Sequence, residues 1–220
     1  DKLGQISLAV TTLFWGAGAT LQFIVLKWAE HALGLDLTMA SVMQAAVALG
    51  VAVGAISAAV RVPLKKSLSV LPLGVGMGLT TVALAFFNRD LLPDVHVHLW
   101  LVQLPLYMLI AYGFMVFIGA LAGYFVVPMN ALLQHRGYVL LSAGHSIAVQ
   151  NFNENVSVLV MLLFYALLIL LNLPVPWVIA LFGAFVTASM FLVILWYRHN
   201  QRERDWTQLI GEPRHDEAHS

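Results

Sequence analysis

The sequence predicts an all-α, polytopic membrane protein built as a bundle of six transmembrane helices, and three observations lead to this prediction. Hydrophobic residues make up 60% of the chain and charged residues only 10%, whereas a soluble domain carries about 25% charged residues. Six stretches are apolar over roughly the 20 residues that a helix needs to cross a bilayer. Threading these stretches through a membrane in turn places most cations on one side, as the positive-inside rule requires.

The six predicted spans follow one another with short connections. They cover, in chain order, about Ile6–Leu26, Met39–Val60, Ser69–Phe87, Leu99–Leu133, Ala143–Leu171 and Val178–Tyr197. The fourth is long enough to overshoot the bilayer or to bend at Pro128, where the helix loses a hydrogen bond. Residues 1–198 are therefore predicted to form the bundle, and residues 199–220 a polar, solvated and partly disordered cytoplasmic tail.

The distribution of Lys and Arg predicts the orientation. With the N-terminus in the cytoplasm, Lys27 and Arg89 lie outside, and the other placed cations lie inside: Lys2, Arg61, Lys65, Lys66, Arg136, Arg198, Arg202 and Arg204. A count of five or seven spans would put the basic C-terminal end on the wrong side. We therefore expect both ends of the chain to be cytoplasmic.

Composition argues against several other functions. The chain has no cysteine, so it has neither disulfides nor thiolate metal sites. Its formal net charge of zero gives no reason to expect nucleic acid as a partner. Phosphate-binding loops, H-E-x-x-H and nucleophile motifs are missing, and His96 and His98 lack further metal ligands. We predict a protein that is not an enzyme and that has no cofactor and no metal.

The start of the chain carries no predicted signal peptide. Only Lys2 precedes the first apolar run, and that run is too long for a signal sequence. The sequence opens on Asp1 without an initiator Met, so we expect a fragment or a processed chain.

Glycines recur at a spacing of four within the predicted spans. The pairs are Gly50 with Gly54, Gly74 with Gly78, and Gly119 with Gly123. Such pairs allow helix backbones to approach closely in a membrane. Tight packing between neighbouring helices is the favoured interpretation, and a dedicated dimer face is the alternative.

The fifth span carries an unusual number of polar side chains. Five amide or acid residues fall within positions 150–155 of an otherwise apolar helix. At 100° per residue, Ser146, Gln150, Glu154 and Ser157 lie within roughly 80° of one another, so they form a stripe. Glu154 lies about 16 Å into the helix, near the middle of the membrane.

This stripe cannot face lipid, since a charged residue at the centre of a transmembrane helix costs about 2.5 to 3.5 kcal/mol on insertion scales. Two interpretations stay open: an internal hydrogen-bond network that holds helices together, or the wall of a polar cavity. One or two amides suffice for the first, because such interhelical bonds are worth about 0.6 kcal/mol each on average. The number of polar groups favours the cavity.

Other spans offer possible partners for the stripe. Asn130 and Gln134 lie four residues apart, on one face near the inner end of the fourth span. Gln22 lies in the outer third of the first span, and we expect Gln44 to be interfacial. Near the outer end of the first span, Lys27, Glu30 and His31 indicate either an interfacial anchor together with Trp28 or a charged outer gate.

Three stretches carry a resemblance to a known family. They are "SLAVTTLFWGAGATLQF" at Ser7–Phe23, "GYFVVPMNALLQHRG" at Gly123–Gly137 and "SAGHSIAVQNFNENVSVLVML" at Ser142–Leu162. In order and spacing they resemble the second half of bacterial lysophospholipid transporters of the major facilitator superfamily. The resemblance covers about Leu3–Arg198.

The resemblance implies a function in phospholipid remodelling. Such proteins are flippases that move lysophospholipids, especially lysophosphatidylethanolamine, from the outer to the inner leaflet of the bacterial inner membrane, where an acyltransferase restores the missing chain. It also implies a missing N-terminal half of six helices. The family patterns fall on Pro128, Asn130, Gln134 and Arg136 and on Gln150, Asn151, Glu154 and Asn155. The residues expected to contact substrate are Gln22, Asn130, Gln134, Gln150, Asn151, Glu154 and Asn155.

One position departs from the family pattern. Gln22 stands where the resemblance leads us to expect Arg, so a cation that would contact the lipid phosphate is missing. Two alternatives remain: a proton-coupled exporter of a small polar solute with the same fold, or a membrane scaffold that positions an acyltransferase without transporting anything.

Overall fold

The computed structural model describes residues 1–93, 95–99, 102–140, 143–203, 208 and 210. It is an all-α polytopic bundle with six helical segments that are long and apolar enough to cross a membrane, the third of which is Leu64–Phe86. The helices are α1 (Lys2–Leu33), α2 (Leu37–Arg61), α3 (Leu71–Phe86), α4 (Leu106–Leu140), α5 (Ala143–Leu170) and α6 (Val175–Glu203). Short 3₁₀ helices cover Leu64–Val70 and Arg89–Leu91. The predicted all-α polytopic fold class and the number of candidate spans are confirmed within the described residues.

The start of the fourth span is where the sequence prediction was wrong. The helix begins at Leu106 rather than near Leu99, because an antiparallel hairpin of β1 (His96–Leu99) and β2 (Val102–Pro105) precedes it. The alternation of Val and His in "DVHVH" has the two-residue period of a strand. This end of the bundle, which also holds the end of α1, is called the hairpin side below; the opposite end is the Asp1 side.

Three helices extend well beyond their predicted ends. α1 continues to Leu33 rather than ending near Leu26. α4 passes through Pro128 and continues to Leu140, so its 35 residues overshoot a typical bilayer. α6 runs to Glu203, into the segment predicted to be a polar tail. Beyond it, the described residues of the tail are Gln208 and Ile210, of which Ile210 is buried.

Glycines join the helices into two tight pairs. At Gly50 and Gly54 of α2, a Cβ atom would lie under 3.0 Å from the backbone of α4, and at Gly119 and Gly123 of α4 it would lie equally close to the backbone of α2. Gly78 and Gly183 bring α3 and α6 together in the same way. These glycines therefore act in packing within the chain, as the favoured interpretation predicted.

α1 runs through the centre of the bundle. Ile6, Val10 and Ile24 are fully buried there. Trp28 is 1% exposed, and its indole nitrogen donates to the carbonyl oxygen of Phe87 at 3.2 Å. Trp28 is therefore not an interfacial anchor, contrary to that expectation: it fixes the end of α1 against the end of α3.

A buried ion pair holds α1 against α4 on the Asp1 side. Asp1 accepts from the backbone nitrogens of Leu3 and Gly4, which caps α1. The same carboxylate pairs with the guanidinium of Arg136 at 2.5 Å, and the two side chains are only 8% and 3% exposed. Arg136, which falls within one of the family patterns, thus has a structural partner at the Asp1 side of the bundle.

Candidate functional site

A polar network links α4 and α5 inside the bundle. The side-chain nitrogen of Gln150 donates to Oε1 of Glu154 at 2.8 Å and to Oδ1 of Asn130 at 3.5 Å, the second distance being long for a hydrogen bond. All three residues are half-buried. Three of the predicted site residues, drawn from two helices, therefore come together.

The helical spacing of the stripe turns it toward the other helices. A Cβ atom at Gly137 of α4 would collide with Ser146, and one at Gly16 of α1 would collide with Ser157. These two contacts lie at the two ends of the stripe, with Gln150 and Glu154 between them. The stripe faces protein, as the cost of placing a carboxylate in lipid required.

Asn151 and Asn155 lie on a different face of α5, and both are exposed. The side-chain nitrogen of Asn155 donates to the carbonyl oxygen of Asn151 at 2.7 Å, and that of Asn153 donates to the carbonyl oxygen of Val149 at 2.8 Å. Such bonds to the preceding turn satisfy part of an amide within its own helix. The predicted site is thus divided between a bundle-facing set and an outward-facing pair.

Gln22 lies far from this network. Gly16 faces Ser157, and Phe23 packs near Tyr165 with ring centroids 6.4 Å apart, so α1 and α5 run parallel. This register puts Gln22 about ten residues, or roughly 15 Å, beyond the level of Glu154. Gln22 is exposed, and its backbone carbonyl accepts a hydrogen bond from the side chain of Gln44 at 2.9 Å.

Gln134 also stands apart from the network. It is exposed, one turn after Asn130 and closer to the Asp1 side of α4. The i, i+4 spacing therefore put both residues on one side of the helix, but the bond from Gln150 reaches only Asn130.

Thr12 is a residue that the sequence did not single out. Its hydroxyl oxygen is buried and has no hydrogen-bond partner within the described part of the chain. It precedes Gly16 by one turn, so the register between α1 and α5 puts it near the level of Glu154. A threonine in an apolar helix normally bonds to its own backbone, as Thr11 and Thr20 do, so its sequence context gives no signal.

The chemistry of the site is that of hydrogen bonds and one carboxylate. Glu154 can accept from a cationic group, and the amides of Gln150 and Asn130 can both donate and accept. Among the described residues, no group of three or more His, Asp or Glu side chains could hold a metal ion. The arrangement suits a polar ligand that carries an ammonium group.

Comparison with known proteins identifies relatives that share one name. The chain is 37% identical over 197 residues to the lysophospholipid transporter LplT of Shigella flexneri and 36% identical to the protein of that name from Escherichia coli O1:K1. Each alignment covers 89% of this chain and 45% of the relative, so the chain spans about half the length of these relatives. No family model and no solved structure matches it.

Proposed function

We propose that this chain is one half of a lysophospholipid transporter. It is homologous to the proteins of that name, which confirms the resemblance in its sequence. The observation that carries the proposal is that the similarity extends over 197 residues, 89% of a chain that contains six candidate membrane spans. A second half of six helices would complete the transporter. The names of the relatives also fit a protein that is not an enzyme.

The proposed activity is movement of lysophospholipids, such as lysophosphatidylethanolamine, from the outer to the inner leaflet of the bacterial inner membrane. An acyltransferase would then consume the lipid. Transport would proceed by rocking of one half against the other around a central site, as in other transporters built from repeats.

The network on α4 and α5 is the proposed headgroup site. Glu154 would bind the ammonium group, while Gln150 and Asn130 would donate to and accept from the headgroup oxygens and hydroxyl. Asn151 and Asn155 would contribute from the exposed face of α5 that is open to the missing half. Gln134 and Gln22 would line the passage on the two sides of this network.

The proposed orientation has both ends in the cytoplasm and the hairpin side outward, because Lys27 and Arg89 are the cations assigned to that side. The 220 residues contain no cysteine, so single cysteines can be introduced without interference from this half. A cysteine at the exposed Lys66, which precedes α3, should be modified only from the cytoplasm, and one at the exposed Asn88 only from outside. The reverse pattern would overturn the orientation.

The function is tested by leaflet-specific uptake of lysolipid by the full-length protein in vesicles, with ethanolamine and choline headgroups compared. Glu154→Gln should reduce ethanolamine lysolipid uptake about tenfold or more, the effect expected for one charge-assisted hydrogen bond. Gly18→Ala is the control, since a Cβ atom there would meet nothing within 4 Å.

The same assay separates the alternatives. An exporter of a small polar solute would require a pH gradient and would lose solute transport in Glu154→Gln without moving lysolipid. A scaffold would move no lipid at all, while Glu154→Ala and Asn151→Ala would weaken its binding to the acyltransferase. Absence of lysolipid movement by the folded wild-type protein would refute the proposed function.

A further inference from the structure

A second amphipathic site lies on the hairpin side, away from the network. It is a groove of about 520 Å³ between the end of α1, the start of α2 and the end of α5. Its lining residues are Phe23, Leu26, Lys27, Glu30, Leu35, Asp36, Leu37, Ala40, Tyr165 and Ile169. Its volume is in the range of small-molecule binding sites.

The walls of the groove are apolar and contain two aromatic rings. Phe23 of α1 and Tyr165 of α5 lie 6.4 Å apart between ring centroids. Leu26, Leu37 and Ile169 line it beside these rings. A surface of this kind accepts a hydrocarbon chain, but it selects weakly in a membrane, where lipid tails are equally apolar.

Selectivity must therefore come from the charged rim. Nζ of Lys27 lies 3.0 Å from Oε2 of Glu30, and their side chains are 51% and 64% exposed. Asp36 adds a second carboxylate, which caps α2 by accepting from the backbone nitrogen of Met39 at 2.8 Å. Exposed ion pairs contribute only about 0 to 1 kcal/mol of stability. Lys27 and Glu30 can therefore give up their mutual contact and bind a ligand instead at little cost in free energy.

The groove lies on the same helical seam as the proposed headgroup site. Tyr165 follows Glu154 by 11 residues, close to three full turns, so both lie on one face of α5, about 16 Å apart along the helix. Between them, Ser157 and Met161 pack against Gly16 of α1. The seam is closed at that point, so a ligand in the groove would be next to the network but separated from it.

We propose that this groove is the first docking site for a lysophospholipid on the hairpin side, an inference that rests on the proposed function. Lys27 binds the phosphate, Glu30 binds the headgroup ammonium, and the acyl chain lies along the wall formed by Phe23 and Tyr165. Lys27 lies about 7.5 Å farther along α1 than Gln22, which does not line the groove.

The test measures uptake of ethanolamine lysolipid against its concentration, using the full-length protein in vesicles. Lys27→Gln should raise KM about fivefold and leave kcat unchanged, since an exposed charged contact is worth about 1 kcal/mol. Lys27→Arg should restore the wild-type KM. Arg89→Gln is the matched control, because Arg89 also pairs on this side, with Asp90 at 3.6 Å, is 58% exposed and lies outside the groove.

A second substrate tests the role of Glu30. Glu30→Gln should raise KM for ethanolamine lysolipid and leave KM unchanged for the glycerol-headgroup lysolipid, which has no ammonium group. An equal rise for both substrates would overturn the assignment of Glu30.

The outcomes separate the two proposals. If the wild-type protein transports lysolipid and Lys27→Gln has the wild-type KM, the docking site is refuted and the function stands. If the wild-type protein transports no lysolipid, the function itself has failed. Equal competition by diacyl phospholipid for photocrosslinking at Phe23 would identify the groove as a surface for ordinary bilayer lipid and overturn the proposal.

Discussion

The interface between α2 and α4 and the seam between α1 and α5 both depend on glycine, but the glycines meet different atoms. Gly50 and Gly119 lie against backbone carbonyls of the opposite helix. Gly16 lies chiefly against the side chains of Ser157 and Met161. One interface is thus backbone against backbone, and the other is backbone against side chain.

This difference separates a rigid part of the bundle from an adjustable part. Two backbones in contact can only move as whole helices, whereas a serine or methionine side chain can change rotamer. α5 is also the least buried of the six helices and carries the polar stripe. Interfaces that hold the bundle and interfaces that can adjust are therefore on different helices, as expected if the proposed half-transporter has a site that must open.

The strongest test of the rigid interface adds one methyl group to it. Gly119→Ala should destabilise the protein by about 3 kcal/mol or more, because the new Cβ would collide with the carbonyl of Val47 and α2 would have to move. Thermal unfolding in detergent, together with the yield of monodisperse protein, measures this effect. Gly113→Ala in the same helix is the control, since its Cβ would meet nothing within 4 Å.

Equal behaviour of Gly119→Ala and Gly113→Ala would break the comparison. It would mean that moving α2 and α4 apart costs no more free energy than changing a side-chain rotamer. The destabilisation should also appear at Gly123→Ala, whose Cβ would meet the carbonyl of Val51.

A smaller effect is expected at the adjustable seam. Gly16→Ala should destabilise the protein by about 1 to 2 kcal/mol, because the closest atom to its Cβ is the hydroxyl oxygen of Ser157. Ser157→Ala removes that atom, so the double variant should recover most of the lost stability. No recovery in thermal unfolding of the double variant would show that the seam is as rigid as the interface of α2 with α4. Gly18→Ala is the control within α1.

The sequence predicted the bundle because each span is a local pattern of apolar residues, readable one helix at a time. It missed the hairpin before α4, because Leu99 and Val102–Pro105 merge with the fourth span in average hydropathy although the alternation in His96–Leu99 is that of a strand. It also assigned Trp28 to the membrane interface, since the hydrogen bond to Phe87 joins residues far apart in the chain.

The candidate site could be predicted only within single helices. The periodicity of α5 identified the stripe that contains Gln150 and Glu154, and the spacing of α4 identified Asn130 and Gln134. Gln150 reaches Asn130, whereas Gln22 lies about 15 Å from the level of Glu154. Both relations depend on which helices are neighbours and on the axial register between them. The periodicity of a single helix indicates neither its neighbours nor its axial register.

The polar network between α4 and α5 should itself add little stability. Asn130→Ala should change the free energy of unfolding by only about 0.6 kcal/mol, the average for a hydrogen bond between membrane helices, because its bond from Gln150 is long at 3.5 Å. A double-mutant cycle with Gln150→Ala measures the coupling between the two residues. A coupling of several kcal/mol would mean that the network locks α4 to α5, which would favour the structural interpretation of the stripe over the cavity.

The smallest change in stability is expected at the rim of the groove. In Lys27 and Glu30 the cation precedes the acid, the less favourable order for a pair on one helix, and Glu30 lies near the negative end of the α1 dipole. Lys27→Gln should therefore shift the free energy of unfolding by no more than about 0.5 kcal/mol. A thermal unfolding curve equal to that of the wild type, together with a higher KM for lysolipid, would assign Lys27 to binding. A large loss of stability would instead show that the pair holds the end of α1, and the adjustable part of the molecule would then end before the groove.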